Sequence, residues 1–266
     1  MPRFPGLLSL LALMLPPVAW AGIQSSKLAP SEVTTGHRLA LVIGNQAHPK
    51  YPLQNPGNDA RAMAAKLGEL GFAVSLELDL GLVEMNKAFA DFEQRIGAGD
   101  VALVYYSGHG LAHQGHSFLV PVDADIDAEH HSAMQAVDLA NVFAGLGTTE
   151  SRLNIVLLDT SRNDPFQRDD AHHGGAAIPD MPSDSILGYS TSPGMVAGDG
   201  REGHSAYTAA LLDQLSQPGL DIHQMLTQVR EQVELDTDGR QTPWVLSNLS
   251  KSFLFASPQS GRPSAR

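Results

Sequence analysis

Apolar residues follow two rhythms along this chain: short unbroken runs, and longer stretches in which they recur every three or four positions. Residues 38–44 (RLALVIG) form the first unbroken run, the pattern of a strand buried on both faces. Residues 58–70 then carry Ala60, Met63, Ala64, Leu67 and Leu70 on one stripe, which predicts a helix with Gly71 as its stop. Residues 72–78 predict the second strand. Residues 84–96 predict a second helix with Met85, Ala88, Phe89, Phe92 and Ile96 on its inner face. The pattern continues with a strand over 101–106 (VALVYY) and a short edge strand over 117–122, where Pro121 is tolerable. A helix over 137–146, a strand over 153–159 (LNIVLLD) and another over 185–190 come next. Helices over 204–215 and 222–235 precede a closing strand over 252–255 (SFLF). Residues 163–184, rich in Asp, Gly, His and Pro, predict a long surface loop. Strands alternating with helices imply an α/β domain with a mainly parallel sheet of about six strands and helices on both faces.

The first residues follow a different pattern. Arg3, an apolar stretch over 7–15, two prolines and Ala19-Trp20-Ala21 before Gly22 have the layout of a secretory signal peptide, and the apolar core is too short to span a bilayer. The expectation is a signal peptide over 1–21, a linker over 22–37, one domain over 38–256 and a disordered tail over 257–266. The protein is then exported, periplasmic or secreted, with no membrane attachment after signal removal. A net charge of −12 argues against nucleic acid or an anionic membrane as partner and suits basic peptides or proteins instead. Cysteine is absent, which rules out disulfides, thiolate metal sites and thiol catalysis together.

Two of the predicted strands each deliver a reactive side chain at the carboxyl end, where open α/β sheets build their sites. The VALVYY run leads into a glycine-flanked turn, Ser107-Gly108-His109-Gly110, and the LNIVLLD run ends in Asp159 before Thr160, Ser161 and Arg162. If the strands are neighbours, His109 and Ser161 face each other across roughly 5–10 Å, a base and nucleophile arrangement. Taken alone, such a histidine is more often a cap or a surface group. Other chemistry finds little support. Asp123, Asp125 and Asp127 open like a calcium loop, but Ala128 and Met134 stand where glycine and glutamate are required. Asp169, Asp170, His172 and His173 read as a solvated loop lacking a rigid second layer of ligand support. No glycine-rich phosphate loop follows any strand.

The two turns, with the text around them, resemble the histidine and cysteine turns of the caspase-like clan (peptidase family C14), in its metacaspase or bacterial orthocaspase branch. Asn45 follows the first strand as in the family's GN turn, and residues 53–60 (LQNPGNDA) look like its L-x-N-P-x-N-D-A segment. Residues 106–110 (YSGHG) are similar to its histidine motif, and FLVPVDA at 118–124, YSTSPG at 189–194 and QTPW at 241–244 match further landmarks in order. One departure is clear: the family's D-A-C-R-N-N-P-F is Asp159-Thr160-Ser161-Arg162-Asn163-Asp164-Pro165-Phe166 here. The resemblance implies a three-layer sandwich in which His109 is the general base and Ser161 holds the nucleophile position. It further implies that the backbone amides of Gly110 and Ser161 form an oxyanion hole, and that Asp59 and Asp159 line a pocket selecting arginine or lysine. Asp59 could alternatively cap its own helix. No cofactor is implied beyond the calcium activation found in some metacaspases.

Serine changes the chemistry. A thiol with a pKa near ~8.5 ionises readily beside a histidine, whereas serine enzymes stabilise that histidine with a carboxylate whose loss removes ~10⁴ in turnover. No acid falls beside His109 in sequence, although one can arrive in space. The expected activity is therefore that of a pseudo-peptidase binding basic segments; the alternative is an endopeptidase cutting after Arg or Lys through a Ser161–His109 dyad.

Overall fold

The computed structural model describes residues 36–125, 135–161, 179–192, 197–198, 200 and 203–258, with Ser161 described by its backbone. In chain order the elements are β1 (Arg38–Gly44), α1 (Pro56–Glu69), β2 (Phe72–Leu78), α2 (Leu82–Glu93), β3 (Val101–His113), β4 (His116–Leu119), β5 (Val137–Asp138) and α3 (Leu139–Thr148). They continue with β6 (Leu153–Ser161), β7 (Ser185–Tyr189), α4 (Ala206–Leu215), α5 (Ile222–Asp236) and β8 (Trp244–Ser247).

The main sheet has six strands in the order β2-β1-β3-β6-β7-β8. All neighbours run parallel except β8, which is antiparallel to β7 at one edge. Because successive strand residues point to opposite faces, β1, β3 and β6 feed two cores at once. Ala40, Val42, Leu103, Tyr105, Ile155 and Leu157 pack against α1, α4 and α5. Leu39, Leu41, Ile43, Val104, Tyr106 and Val156 pack against α2 and α3. The result is a mainly parallel sheet between two helical layers, as the alternation of elements implied.

Three expectations need correction. The VALVYY strand does not end in a turn: β3 runs on for 13 residues to His113. Its backbone stays paired because two partners share the extension, β6 as far as His109 and antiparallel β4 from Gly110 onward. The glycines of this stretch are there for close approach. A Cβ on Gly108 would lie 2.6 Å from the Tyr106 hydroxyl, and one on Gly110 would lie 2.8 Å from Thr160 Cβ. Likewise β6 continues past Asp159 to Ser161. The closing strand is not the SFLF run but β8, and residues 252–255 join no strand ladder: Leu254 makes an isolated bridge with Asp221, the residue that caps α5.

The SFLF segment is instead fastened by other means. Phe253 and Phe255 bury in the core below α5, and the Arg38 guanidinium donates to the carbonyls of Leu70, Leu254 and Phe255 at 2.7–3.1 Å while lying over the rings of Phe72 and Phe253. Smaller shifts occur at helix starts. Pro56 opens α1 two residues early, a position where its missing N–H is harmless. Val137 and Asp138 pair with β4 before α3 begins, and Asp138 caps that helix through Ala140 N.

Candidate functional site

Parallel pairing of β3 with β6 sets His109 opposite Ser161 in register, with Ser107 opposite Asp159 two residues earlier. Adjacent strands lie ~4.8 Å apart, so the two candidate reacting residues start from neighbouring backbones. Gly110, the next residue on β3, is buried and pairs with Leu119 of β4. His109, Gly110 and Ser161 thus lie on paired strands, which run further than the sequence predicts.

His109 is buried, and its Nε2 lies 2.6 Å from the Tyr51 carbonyl oxygen. A carbonyl only accepts, so Nε2 carries the hydrogen and the neutral ring keeps its lone pair on Nδ1, the atom a base would use. The group that meets Nε2 thus includes a backbone dipole from the β1–α1 loop, which no residue-type motif could reveal. That loop is itself built tightly. Asp79 accepts from Gln46 N and Ala47 N, and Gln46 Oε1 accepts from Gly57 N. His48 is buried, its Nδ1 accepting from Tyr51 N at 3.3 Å and its Nε2 donating to the Ala124 carbonyl at 2.8 Å. The His48 ring meets that of His109 edge-on, with centroids 5.7 Å apart. From the other side, the Tyr106 hydroxyl donates to the carbonyls of His109 and Val120. Burial keeps this phenol neutral and drives its pKa well above the ordinary range.

The two carboxylates meet on one residue. Asp59, in the first turn of α1 and 1% exposed, accepts from the Ser205 amide at 3.3 Å, from Ser107 Oγ at 3.5 Å and from His204 Nδ1 at 2.8 Å. Those bonds point away from a simple capping role. Asp159 accepts from Ser205 Oγ and, at 2.6 Å, from Thr208 Oγ1. Thr208 has one hydroxyl hydrogen and gives it to Asp159, so Tyr105 must donate its own to Thr208 Oγ1 at 2.5 Å. Burial first, then the nearby charges of Asp159 and Asp59, drive the Tyr105 hydroxyl well above its usual pKa. Ser205 is also the N-cap of α4. A helix start, a strand end and a second helix start therefore converge on a buried acidic pair beside β3.

His204, Ser205, Tyr51 and His48 were not marked as site residues by the sequence. Ser205 preceding an apolar run was readable as an N-cap, but nothing local ties it to residue 59 or 159. Asp123 and Asp125 are engaged otherwise: Asp123 accepts from Leu82 N at the start of α2, and Asp125 pairs with Lys50. Asp127, Arg162 and residues 163–178, with the candidate metal loop, lie outside the described residues, as do the signal peptide and most of the linker and tail. Among the described residues no group of three His, Cys, Asp or Glu is placed to hold a metal, and no helix is long and apolar enough to cross a membrane.

Comparison with known proteins agrees with this geometry. The profile of the peptidase C14 family, described as the caspase domain, matches residues 37–254. The mucosa-associated lymphoid tissue lymphoma translocation protein 1 homolog of Mus musculus is 29% identical over 236 residues, covering 85% of this chain and 27% of its own length. Its Homo sapiens counterpart is 28% identical over 234 residues, covering 84% and 27%. The chain thus spans about a quarter of the length of these curated relatives. Among solved structures, the crystal structure of caspase-1 from Spodoptera frugiperda superposes with a TM-score of 0.61 at 18% identity, covering 89% of this chain and 97% of that one.

Proposed function

The chain belongs to the caspase-domain family of peptidases, and from that premise we propose that it is an exported pseudo-peptidase, which seats a basic side chain of a peptide against Asp59 and Asp159 without cutting beside it. The observation that carries this reading is the convergence of two buried carboxylates on Ser205, next to the strand that bears His109. Paired carboxylates in a low-dielectric site favour a guanidinium or ammonium group, because a planar fork or point charge answers both at once. The acidic net charge adds long-range attraction for basic segments. Export rests on the apolar stretch and the Ala-Trp-Ala site near the amino end.

Two features support inertness. The nucleophile position holds an alcohol, and the bond on Nε2 of His109 comes from a neutral carbonyl. An imidazolium formed by deprotonating Ser161 gains less from such a dipole than from a carboxylate. The second reading, an endopeptidase cutting after Arg or Lys with the Gly110 and Ser161 amides as oxyanion hole, draws on one observation: the direct register of His109 with Ser161. Incubation of the chain with fluorogenic peptides ending in Arg or Lys separates the two. The expected outcome is saturable binding with no fluorophore release. Release that disappears in Ser161→Ala would establish the endopeptidase instead.

A further inference from the structure

The carboxylate of Asp59 is 1% exposed, yet it is not sealed by the protein interior alone. Of its named partners, Ser107 and Ser205 are buried, whereas the His204 side chain is 36% exposed. Among these groups the imidazole is the one that reaches the surface. It also offers the chemistry expected of a ligand, since Nδ1–H donates to Oδ1 at 2.8 Å, where a guanidinium or ammonium N–H would donate.

We propose that His204 is a specificity-determining residue, a built-in surrogate for the basic side chain that covers Asp59 in the empty site and must be displaced when a peptide arginine or lysine enters. The inference rests on the basic-peptide reading above and adds to it the identity of the competitor. Three facts make displacement feasible. The His204 ring is 36% exposed, so water can take over its nitrogens as it leaves while the incoming cation takes over the 1%-exposed carboxylate. The backbone at residue 204 is held in place, since a Cβ on Gly200 would lie 2.1 Å from the His204 carbonyl oxygen, so the ring moves about its own side-chain bonds. The next residue, Ser205, stays anchored through its amide on Asp59 and its hydroxyl on Asp159. The ring can therefore leave while the pocket floor and the α4 cap remain. An arginine fork reaching Oδ1 replaces one N–H donor by several, and it brings a permanent charge to a pair of carboxylates.

A surrogate of this kind makes the apparent affinity for a basic peptide equal to the intrinsic affinity multiplied by the fraction of molecules with the ring displaced. Removing the ring and making it permanently cationic should then act in opposite directions, which no merely structural role would produce. The experiment is a fluorescence-polarisation titration of the full chain with a labelled acetyl-Ala-Ala-Arg amide and its citrulline counterpart. His204→Ala should bind the arginine peptide roughly three- to tenfold more tightly, the span expected for loss of one modest competing hydrogen bond. His204→Lys, whose tethered ammonium stays charged, should bind it roughly tenfold more weakly. In the unmutated chain, the His204 ring nitrogen resonances should move on saturation with the arginine peptide, a readout independent of how the variants fold. Weakening by both variants, or His204 resonances unmoved by a peptide that does bind, overturns the surrogate while leaving the basic-peptide reading intact. Absence of any arginine-over-citrulline preference in all three proteins overturns both.

Discussion

Replacing Ser161 by cysteine should turn binding into cleavage, and the size of the gain follows from the group on His109. In a serine peptidase the histidine must be held in one tautomer and stabilised when it takes the alcohol proton. Loss of the carboxylate that does both removes about 10⁴ in turnover, equivalent to about 5.5 kcal/mol of transition-state stabilisation. Here the Tyr51 carbonyl, 2.6 Å from Nε2, supplies the first service, since it fixes the ring and its tautomer. It supplies little of the second, because it carries a dipole rather than a charge. A thiol needs the second service far less: with a pKa near ~8.5 a few per cent is already thiolate at neutral pH, and a histidine neighbour raises that fraction. The register of residue 161 with His109 is set by backbone pairing, so the exchange leaves the approach unchanged. Ser161→Cys should therefore raise kcat/KM on an arginine-terminated fluorogenic peptide by about 10³–10⁴. His109→Ala in that background should abolish the gain. The reasoning is refuted if the unmutated chain turns over as fast as Ser161→Cys, or if a fluorophosphonate labels Ser161 at neutral pH.

Two further outcomes test the scaffold. Tyr106→Phe removes the hydroxyl shared by the His109 and Val120 carbonyls, which keep the Val120 amide and Asn45 Nδ2 as their other donors, so chemical denaturation should show a loss of about 0.5–1.5 kcal/mol; an unchanged midpoint would mean that water replaces the phenol. Ser250→Ala should alter the acid limb of stability. Hydrogen bonds from the Ser250 hydroxyl and amide hold the Asp184 carboxyl below its usual pKa. Because the folded value lies below the unfolded ~3.9, this stabilisation is complete above that pH and disappears as pH falls through the folded value. The variant should be less stable near neutrality and converge on the parent in strong acid; a constant offset down to the lowest pH would remove Asp184 as the cause.

Much of this architecture could be read from the chain because apolar rhythm reports burial. β1 and β2 fall where RLALVIG and FAVSLEL predict them, and His109 and Ser161 lie on neighbouring strands as their two runs imply. Errors arose where pairing partners, not side chains, decide the backbone. Ser107-Gly108-His109-Gly110 has turn composition but stays extended, since β6 and β4 take its amides and carbonyls in succession. The SFLF run alternates as a strand should and buries both phenylalanines, yet its carbonyls are taken by Arg38 and Ile222 rather than by a sheet edge. Trp244–Ser247 is short and half-buried, giving a weak periodic signal for a strand that does pair. At the site, the family resemblance singles out Asp59 and Asp159, whereas the Tyr51 carbonyl belongs to every residue alike. His204 approaches Asp59 from 145 positions away, a distance that local pattern does not encode.

Arg38 has a topological consequence. By holding the carbonyls of Leu254 and Phe255 against the first residue of the opening strand, it brings the entrance and exit of the folded unit within reach of a single side chain. A body whose two ends adjoin can be spliced into a longer polypeptide as a pendant, or have its ends fused and be reopened at another surface loop, without unpicking the sheet. The same guanidinium would act as the clasp in each arrangement.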